Sequence, residues 1–428
     1  MGQIQAIFIV IASMLGTGIL TTTGLMAAKL GGPYEIILVW FLGGLLAITG
    51  AICYGTILNR YPISGGEAAF VQKFYYPSWG YITAILSFLV GFAASNAAAS
   101  MALSMYFLAG THINEALVEG VSKGRIIAIS AILIMTSLHT QIGKHGMRIQ
   151  TVLALLKFSL LLGIAIYGFL RIDWNGNPLV TATWKGASLN NWSLCLLFSV
   201  FAYSGWNAAI YSAAEFNKPA QTVPRAMLIG AIVVVGLYIL LNIAILGNLS
   251  NQNLSGVDAV MVRLVQQLFG RDASQLFALL VSFVLLSSIG VSSFAGPRVL
   301  HGILFMRRVQ KGANAFLPVP SKLLWLQAII SILLVLTGSF EQVMELMGVF
   351  LGIAPVMMVM GIYRKTWGIT QPSTLIRVVI APMFIVLSLA IISISLWSNS
   401  DARVFVVALL VISLCLMAIE KRGFLCAA

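Results

Sequence analysis

Continuous apolar runs recur along the chain, separated by short polar or Gly/Pro-containing stretches. They cover roughly residues 4–29, 34–58, 79–109, 126–143, 147–170, 190–214, 226–248, 274–306, 323–340, 343–363, 376–397 and 404–419. A helix rising about 1.5 Å per residue crosses a hydrocarbon layer of about 30 Å in about 20 residues, so each run is a candidate span. Barrel strands would instead alternate apolar and polar positions over about ten residues. The pattern therefore predicts an all-α membrane protein of about 12 transmembrane helices. Segment 79–109 is long enough to tilt strongly or to extend past the bilayer. The short break between 323–340 and 343–363 carries Glu341 and Glu345 and predicts a tight turn.

Composition strengthens this reading. The 428 residues are 60% apolar and only 9% charged, against about 45–50% and about 25% in soluble proteins. That excludes a soluble enzyme, a disordered protein and a nucleic-acid binder. Cys53, Cys195, Cys415 and Cys426 show neither metal-ligand spacing nor a paired pattern, so no metal, cofactor or disulfide framework is expected. The first run lacks a basic leader and continues past signal-peptide length, as a genuine first span would.

The net charge of +13 is explained by its placement. With the N-terminus in the cytoplasm, inward loops carry 16 basic and three acidic residues. Outward loops carry eight basic and nine acidic ones, and Lys157 belongs to neither side. This is the positive-inside pattern, with both termini cytoplasmic. Of the remaining polar residues, His112, His139, His145 and His301 are scattered near loops, and Arg307, Arg308 and Lys311 fit inward-facing charge.

Two spans contain polar, glycine-bearing interruptions. The first reads Ser13-Met14-Leu15-Gly16-Thr17-Gly18-Ile19, and the sixth reads Phe201-Ala202-Tyr203-Ser204-Gly205-Trp206-Asn207. Taken singly, each could be a close helix contact. Together they open the first helix of each of two five-span halves, which points to a central site between inverted repeats. The half-helix after a break presents N–H groups and a positive dipole end, suited to a carboxylate. The half-helix before a break presents carbonyls, suited to an ammonium group. Glycine at Gly16 and Gly18 would let an anion approach the backbone. Two facing breaks could thus hold an α-amino acid zwitterion.

These residues resemble the amino acid–polyamine–organocation (APC) superfamily, most of all its L-type amino acid transporter branch. Gly16-Thr17-Gly18-Ile19 is similar to that family's G-S-G-I. Arg60-Tyr61-Pro62-Ile63-Ser64-Gly65-Gly66-Glu67 is similar to R-x-P-x-S-G-G-E, and residues 201–207 to F-A-Y-x-G-W-N. Glu215, Pro219 and Pro224-Arg225-Ala226 follow at family spacing. The match spans residues 13–226 and thins after about 310.

The resemblance implies a LeuT-like fold of five-plus-five inverted repeats with discontinuous helices 1 and 6, working by alternating access. It divides the chain into 1–171, 190–363 and a 376–428 segment holding two added helices and a short cytoplasmic tail. It implies that Thr17, Gly18 and Ile19 offer N–H groups to a substrate carboxylate. Phe201, Ala202 and Ser204 would meet the ammonium, and Phe201 and Trp206 would flank the side chain. Animal members of the branch join a heavy chain through a cysteine between the third and fourth spans. Residues 110–125 contain none, so no disulfide-linked heavy chain is expected. The family's double acid after the sixth span is Ala214-Glu215 here. Some acid-resistance exchangers carry a glutamate near the sixth break, where this chain has Asn207.

Lys157 stands about ten residues, roughly 15 Å, into the fifth span. A charge so deep costs at least about 2.5–3.5 kcal/mol on insertion scales and marks function. By resemblance, its ammonium takes the place of a bound sodium ion, joining carbonyls near Gly16 to Ser288 of the eighth span. All twelve acids lie in loops or at span ends. A cationic substrate side chain held in the membrane would want a carboxylate, so neutral substrates are expected. Gly91, Ala93, Ala94, Ser95, Ala97, Ala98, Ala99 and Ser100 in the third span either widen the pocket or permit tight packing. Pro219 and Pro224 are expected to separate the sixth and seventh helices, and Glu67 and Arg225 to pair in an inner gate.

The expectation is a sodium-independent exchanger or uniporter of neutral L-amino acids in a plasma membrane, suggesting a bacterial inner membrane. Proton-coupled symport or export of the same substrates is the alternative. Small-molecule substrate and membrane lipid are the expected partners, with no catalytic set for an enzyme and no nucleic acid.

Overall fold

A computed structural model describes residues 2–63, 65–111, 117–118, 121–142, 146–182, 184–211, 213, 216–257, 259–309, 320–364 and 372–398, with positions 403, 407 and 411. The predicted span 404–419 apart from positions 407 and 411, with Ser64, His112, His145, Ala214, Glu215, Lys311, Cys415 and Cys426, lies outside the described residues.

The described chain is helical apart from two-residue strands, β1 (Leu117–Val118) and β2 (Val121–Ser122), paired antiparallel. Among the described residues, eight helical segments are long and apolar enough to cross a membrane. The first of these segments is two helices, α1 (Gln3–Met14) and α2 (Gly18–Leu30), followed by α3 (Pro33–Arg60) and the short α4 (Gly66–Phe74). The long third run is α5 (Pro77–Leu86), a π-helical stretch Ser87–Ala94 and α6 (Ser95–Thr111). α7 (Lys123–Ile142) and α8 (Gly146–Leu170) complete the first half.

The second half runs through α9 (Pro178–Thr181), α10 (Leu189–Ala202), α11 (Pro219–Asn248), α12 (Asn251–Leu254) and α13 (Val260–Phe269). It continues with α14 (Arg271–Val309), α15 (Ser321–Thr337), α16 (Phe340–Met360) and, beyond a π turn at Ile376–Ile380, α17 (Ala381–Ser398).

Local chemistry sets these boundaries. Gly31 ends α2 in a left-handed conformation (φ 74°), and Pro33 starts α3 at its first turn. Ser188 caps α10 by accepting from the Asn191 N–H at 3.2 Å. Ser339 and Gln342 form a capping box at the tight turn before α16. The expected seventh-span start near 226 is corrected to Pro219, which opens α11, while Pro224 sits inside it. The reason is a neighbour: Gly55 of α3 leaves room for the Pro224 ring, whose Cβ would lie 2.9 Å from a methyl placed there.

The core lies between two long pairs, α3 with α11 and α6 with α14, with α1, α2 and α10 enclosed by them. Ala93, Ala94, Ala97, Ala98 and Ser100 are buried, and α6 packs closely on α14. Gly91, Ser95 and Ala99 instead line a cavity. The small-residue stripe therefore serves packing on one side and space on the other.

The segment before α10 packs against the start of α3: Tyr34 Oη donates to the Leu179 carbonyl at 3.0 Å, and the buried Glu35 accepts from the Lys185 N–H at 2.6 Å. Lys29 and Glu341 form an ion pair of 2.8 Å there, with side chains 31% and 37% exposed. Water screens a pair this open, which is worth no more than about 1 kcal/mol. Glu341→Gln should accordingly shift stability by less than about 1 kcal/mol in a thermal-unfolding series. A larger loss would show the pair to be structural.

Candidate functional site

The first break comes at Leu15–Thr17 and the second at Tyr203–Asn207, where helix gives way to turns. The two are pressed together. A side-chain carbon added at Gly18 would fall onto the Cα and Cβ of Ala202. Gly205 holds φ at 98°, a conformation that L side chains rarely adopt, and a carbon there would lie 2.6 Å from the Ser13 carbonyl oxygen. Gly16 is different, since its nearest neighbour would be the Met14 carbonyl oxygen at 3.8 Å. Gly18 is thus small because a helix end meets it, whereas Gly16 faces open space.

Opposite helix poles meet at this contact. α2 begins at Gly18, so the Gly18 and Ile19 N–H groups open a helix and have no partner within it. α10 ends at Ala202 and presents the carbonyl pole. Thr17 is buried, and its carbonyl accepts from Thr21 Oγ1 at 2.9 Å. The Thr22 hydroxyl likewise bonds the Gly18 carbonyl at 2.8 Å, fixing the first turn of α2.

Two carbonyls at the end of α1 are already occupied. Tyr238 Oη donates to the Met14 carbonyl at 2.7 Å. Lys157, only 5% exposed, donates from Nζ to the Leu15 carbonyl at 2.7 Å and to Ser288 Oγ at 3.0 Å. One ammonium therefore ties α1, α8 and α14 together. The carbonyl pole of α10 also reaches the cavity. There Phe201, Ala202 and Ser204 line the cavity, and the Phe201 carbonyl accepts the Ser204 N–H at 3.0 Å.

The cavity has a volume of about 840 Å³, within the range of small-molecule sites. Gly16, Thr17, Gly18, Phe201, Ala202, Ser204, Trp206 and Ser288 all line it; Ile19 does not and is fully buried. From the breaks it runs past Phe8, Trp79 and Leu86 to Arg298, at the end of the bundle opposite Lys29–Glu341. The Trp206 ring stands edge-on to Tyr54, with centroids 4.6 Å apart, and is held there by Phe384 beyond it. The wider π stretch supplies Ser87, Val90, Gly91 and Phe92 to the wall.

Two sequence expectations are corrected here. Glu67 does not pair with Arg225, which is exposed; it bonds Tyr54, Asn207 and Tyr211. Nor is the cavity free of acid, because Glu67 lines it. The motif Gly65-Gly66-Glu67 was visible in the sequence, but its partners are 13 to 144 residues away. Only folding brings them together. Tyr238, which holds the first break, likewise carried no sequence signal.

Comparison with known proteins places this geometry. The amino acid permease family profile matches residues 1–419. The chain belongs to the amino acid permease family. It is 27% identical over 309 residues to the Asc-type amino acid transporter 1 of Mus musculus, covering 71% of this chain and 56% of that one. It is 25% identical over 300 residues to the serine/threonine exchanger SteT of Bacillus subtilis (strain 168), covering 70% and 66%. Against the human large neutral amino acids transporter small subunit 2 it is 24% identical over 309 residues, covering 71% and 55%. The chain thus aligns with little more than half the length of the mammalian relatives. These relatives are transporters within the APC superfamily, and this amino acid permease is a multi-pass helical membrane protein.

Proposed function

We propose that this permease is a sodium-independent secondary transporter of neutral L-amino acids, working as an exchanger or uniporter by alternating access. The observation that carries the reading is the Gly18–Ala202 contact, where the N–H pole of α2 and the carbonyl pole of α10 meet on one cavity. A zwitterion has its two charges on one carbon and fits such a pair of poles. Thr17 and Gly18, which line the cavity, take the carboxylate; Phe201, Ala202 and Ser204 take the ammonium; Phe201 and Trp206 flank the side chain. Relatives named for neutral substrates and for serine/threonine exchange support the substrate class.

Sodium independence rests on Lys157. Its fixed ammonium stands between the Leu15 carbonyl and Ser288 Oγ, where a cation would otherwise be held. The fold is read as LeuT-like, with repeats at 1–171 and 190–363 and added helices in 376–428, twelve spans in all. Charge placement supports cytoplasmic termini, as in a bacterial inner membrane. No disulfide-linked heavy chain is assigned to it.

Counterflow in sodium-free proteoliposomes tests this. Vesicles are preloaded separately with alanine, serine, leucine, phenylalanine, arginine or glutamate, and labelled neutral amino acid entry is followed. Neutral amino acids should stimulate entry, equally in sodium and in choline. Collapse in choline would overturn the Lys157 assignment, and stimulation by arginine or glutamate alone would overturn the substrate class.

A further inference from the structure

Glu67 is a carboxylate in an unusual place. It lies on α4, outside the candidate spans, yet is only 5% exposed and lines the cavity of the two breaks. Backbone geometry delivers it there. Gly65 and Gly66 both hold positive φ (119° and 65°), and a carbon added at Gly66 would run into the Tyr211 ring. Glu67 then enters at the first turn of α4, beside the Tyr211 segment.

Its oxygens join three parts of the chain. Oε1 accepts from Tyr54 Oη of α3 at 2.8 Å and from Asn207 Nδ2 of the second break at 2.6 Å; Oε2 is 3.5 Å from Tyr211 Oη. All three partners are neutral. Of the other charged or titratable groups around it, Cys53 lies beside Tyr54 in α3, Lys73 of α4 sits over the Tyr61 ring at 4.7 Å, and Arg298 of α14 sits over the Phe294 ring at the cavity mouth. α16 contributes Phe350, Leu351 and Met357 to the same wall, none of them titratable. Burial, with no cationic partner among the described residues, pushes the Glu67 carboxyl above its ordinary range, against the three hydrogen bonds, which favour the ionised form.

We propose that Glu67 is a proton-binding site on the cavity, and that its ionisation state sets how firmly the second break is held. The step is a single proton transfer from hydronium in the cavity water to a carboxylate oxygen, leaving water. Ionised, Glu67 draws charge-assisted hydrogen bonds from Asn207 and Tyr54 and clamps the break to α3 and α4. Protonated, it keeps only neutral bonds, which are about half as strong, and the break is free to move. The break carries Phe201, Ala202 and Ser204, so transport becomes proton-linked. The proposal rests on the transport reading above.

The test is sodium-free counterflow of labelled neutral amino acid, with equal pH on both sides. The wild-type rate should rise about tenfold as pH falls, with a midpoint above the ordinary carboxyl value of about 4.3. Glu67→Gln, a neutral mimic, should transport at one pH-independent rate near the wild-type acid plateau. Asn207→Asp sets a second carboxylate against Glu67 and should move the midpoint up by at least about one pH unit. An unchanged pH profile in E67Q, or a flat wild-type profile, would overturn the proposal. So would a loss in E67Q confined to arginine, which would make Glu67 a side-chain ligand. A transport-independent reading comes from pH-difference infrared spectra of the purified protein. A carboxyl band that titrates above about 4.3 in wild type and is absent in E67Q supports the proton site even if no substrate gives counterflow, an outcome that would overturn the transport reading alone. No such band would overturn the proton site.

Discussion

Lys157→Ala should cut sodium-free counterflow roughly a hundredfold while the protein still reaches the membrane. Two hydrogen bonds from a charged donor are lost, each worth about 1.5–3 kcal/mol, and a tenfold change needs about 1.4 kcal/mol. They hold the Leu15 carbonyl at the first break and Ser288 of α14. Without them α1, α8 and α14 lose a common tie, and the position of the break relative to α10 is no longer set. The surrounding helix α8 keeps its own backbone bonds, so folding survives. Lys157→Met, which retains the stem and packing but not the charge, should fail in the same way. Monodisperse, correctly inserted protein with wild-type counterflow in either variant would show that the ammonium does no more than fill space.

The second large effect separates two glycines that look equivalent in the sequence. Gly18→Ala should abolish transport, because its Cβ falls onto the Ala202 backbone and forces the two helix poles apart. Ala202→Gly should not rescue it, since the Ala202 Cα is itself in the way. Gly16→Ala meets only the Met14 carbonyl oxygen at 3.8 Å and should yield folded protein of near wild-type stability. Size-exclusion profiles and thermal midpoints, read beside counterflow, check both. If G18A transports normally, the close contact of the two breaks is not required for the cycle. If G16A unfolds, the open space at Gly16 has been misjudged.

Much of this architecture was legible in the linear pattern. Apolar run length marked about twelve candidate spans, of which eight are helices long and apolar enough to cross among the described residues, and charge asymmetry suggested an orientation, because lipid imposes both conditions on any chain that crosses it. The paired interruptions marked where the helices break. Gly16, Thr17, Gly18, Phe201, Ala202, Ser204, Trp206, Lys157 and Ser288 stand out in the sequence alone, and the fold gathers the first seven and Ser288 on one cavity, which Ile19 does not line. Lys157 was legible for a simple reason: a charge deep in an apolar run is costly enough to demand a partner.

Glu67 shows the converse. On paper it is an acid in a loop after the second span, and its neighbour in function looked to be Arg225. Two successive positive-φ glycines turn the chain inward and bury it against Tyr54 and Asn207 instead. The same limit hid Tyr238, whose hydroxyl holds the Met14 carbonyl from 224 residues away. Hydrophobic period, helix caps and isolated buried charge are local or one-body properties, and the sequence by itself determined them: a helical permease, its breaks and its lysine. Hydrogen-bond partners and close contacts are pairwise properties of distant residues. Only the tertiary structure decided that Gly18 meets Ala202, that Lys157 bonds the Leu15 carbonyl, and that the cavity carries an acid.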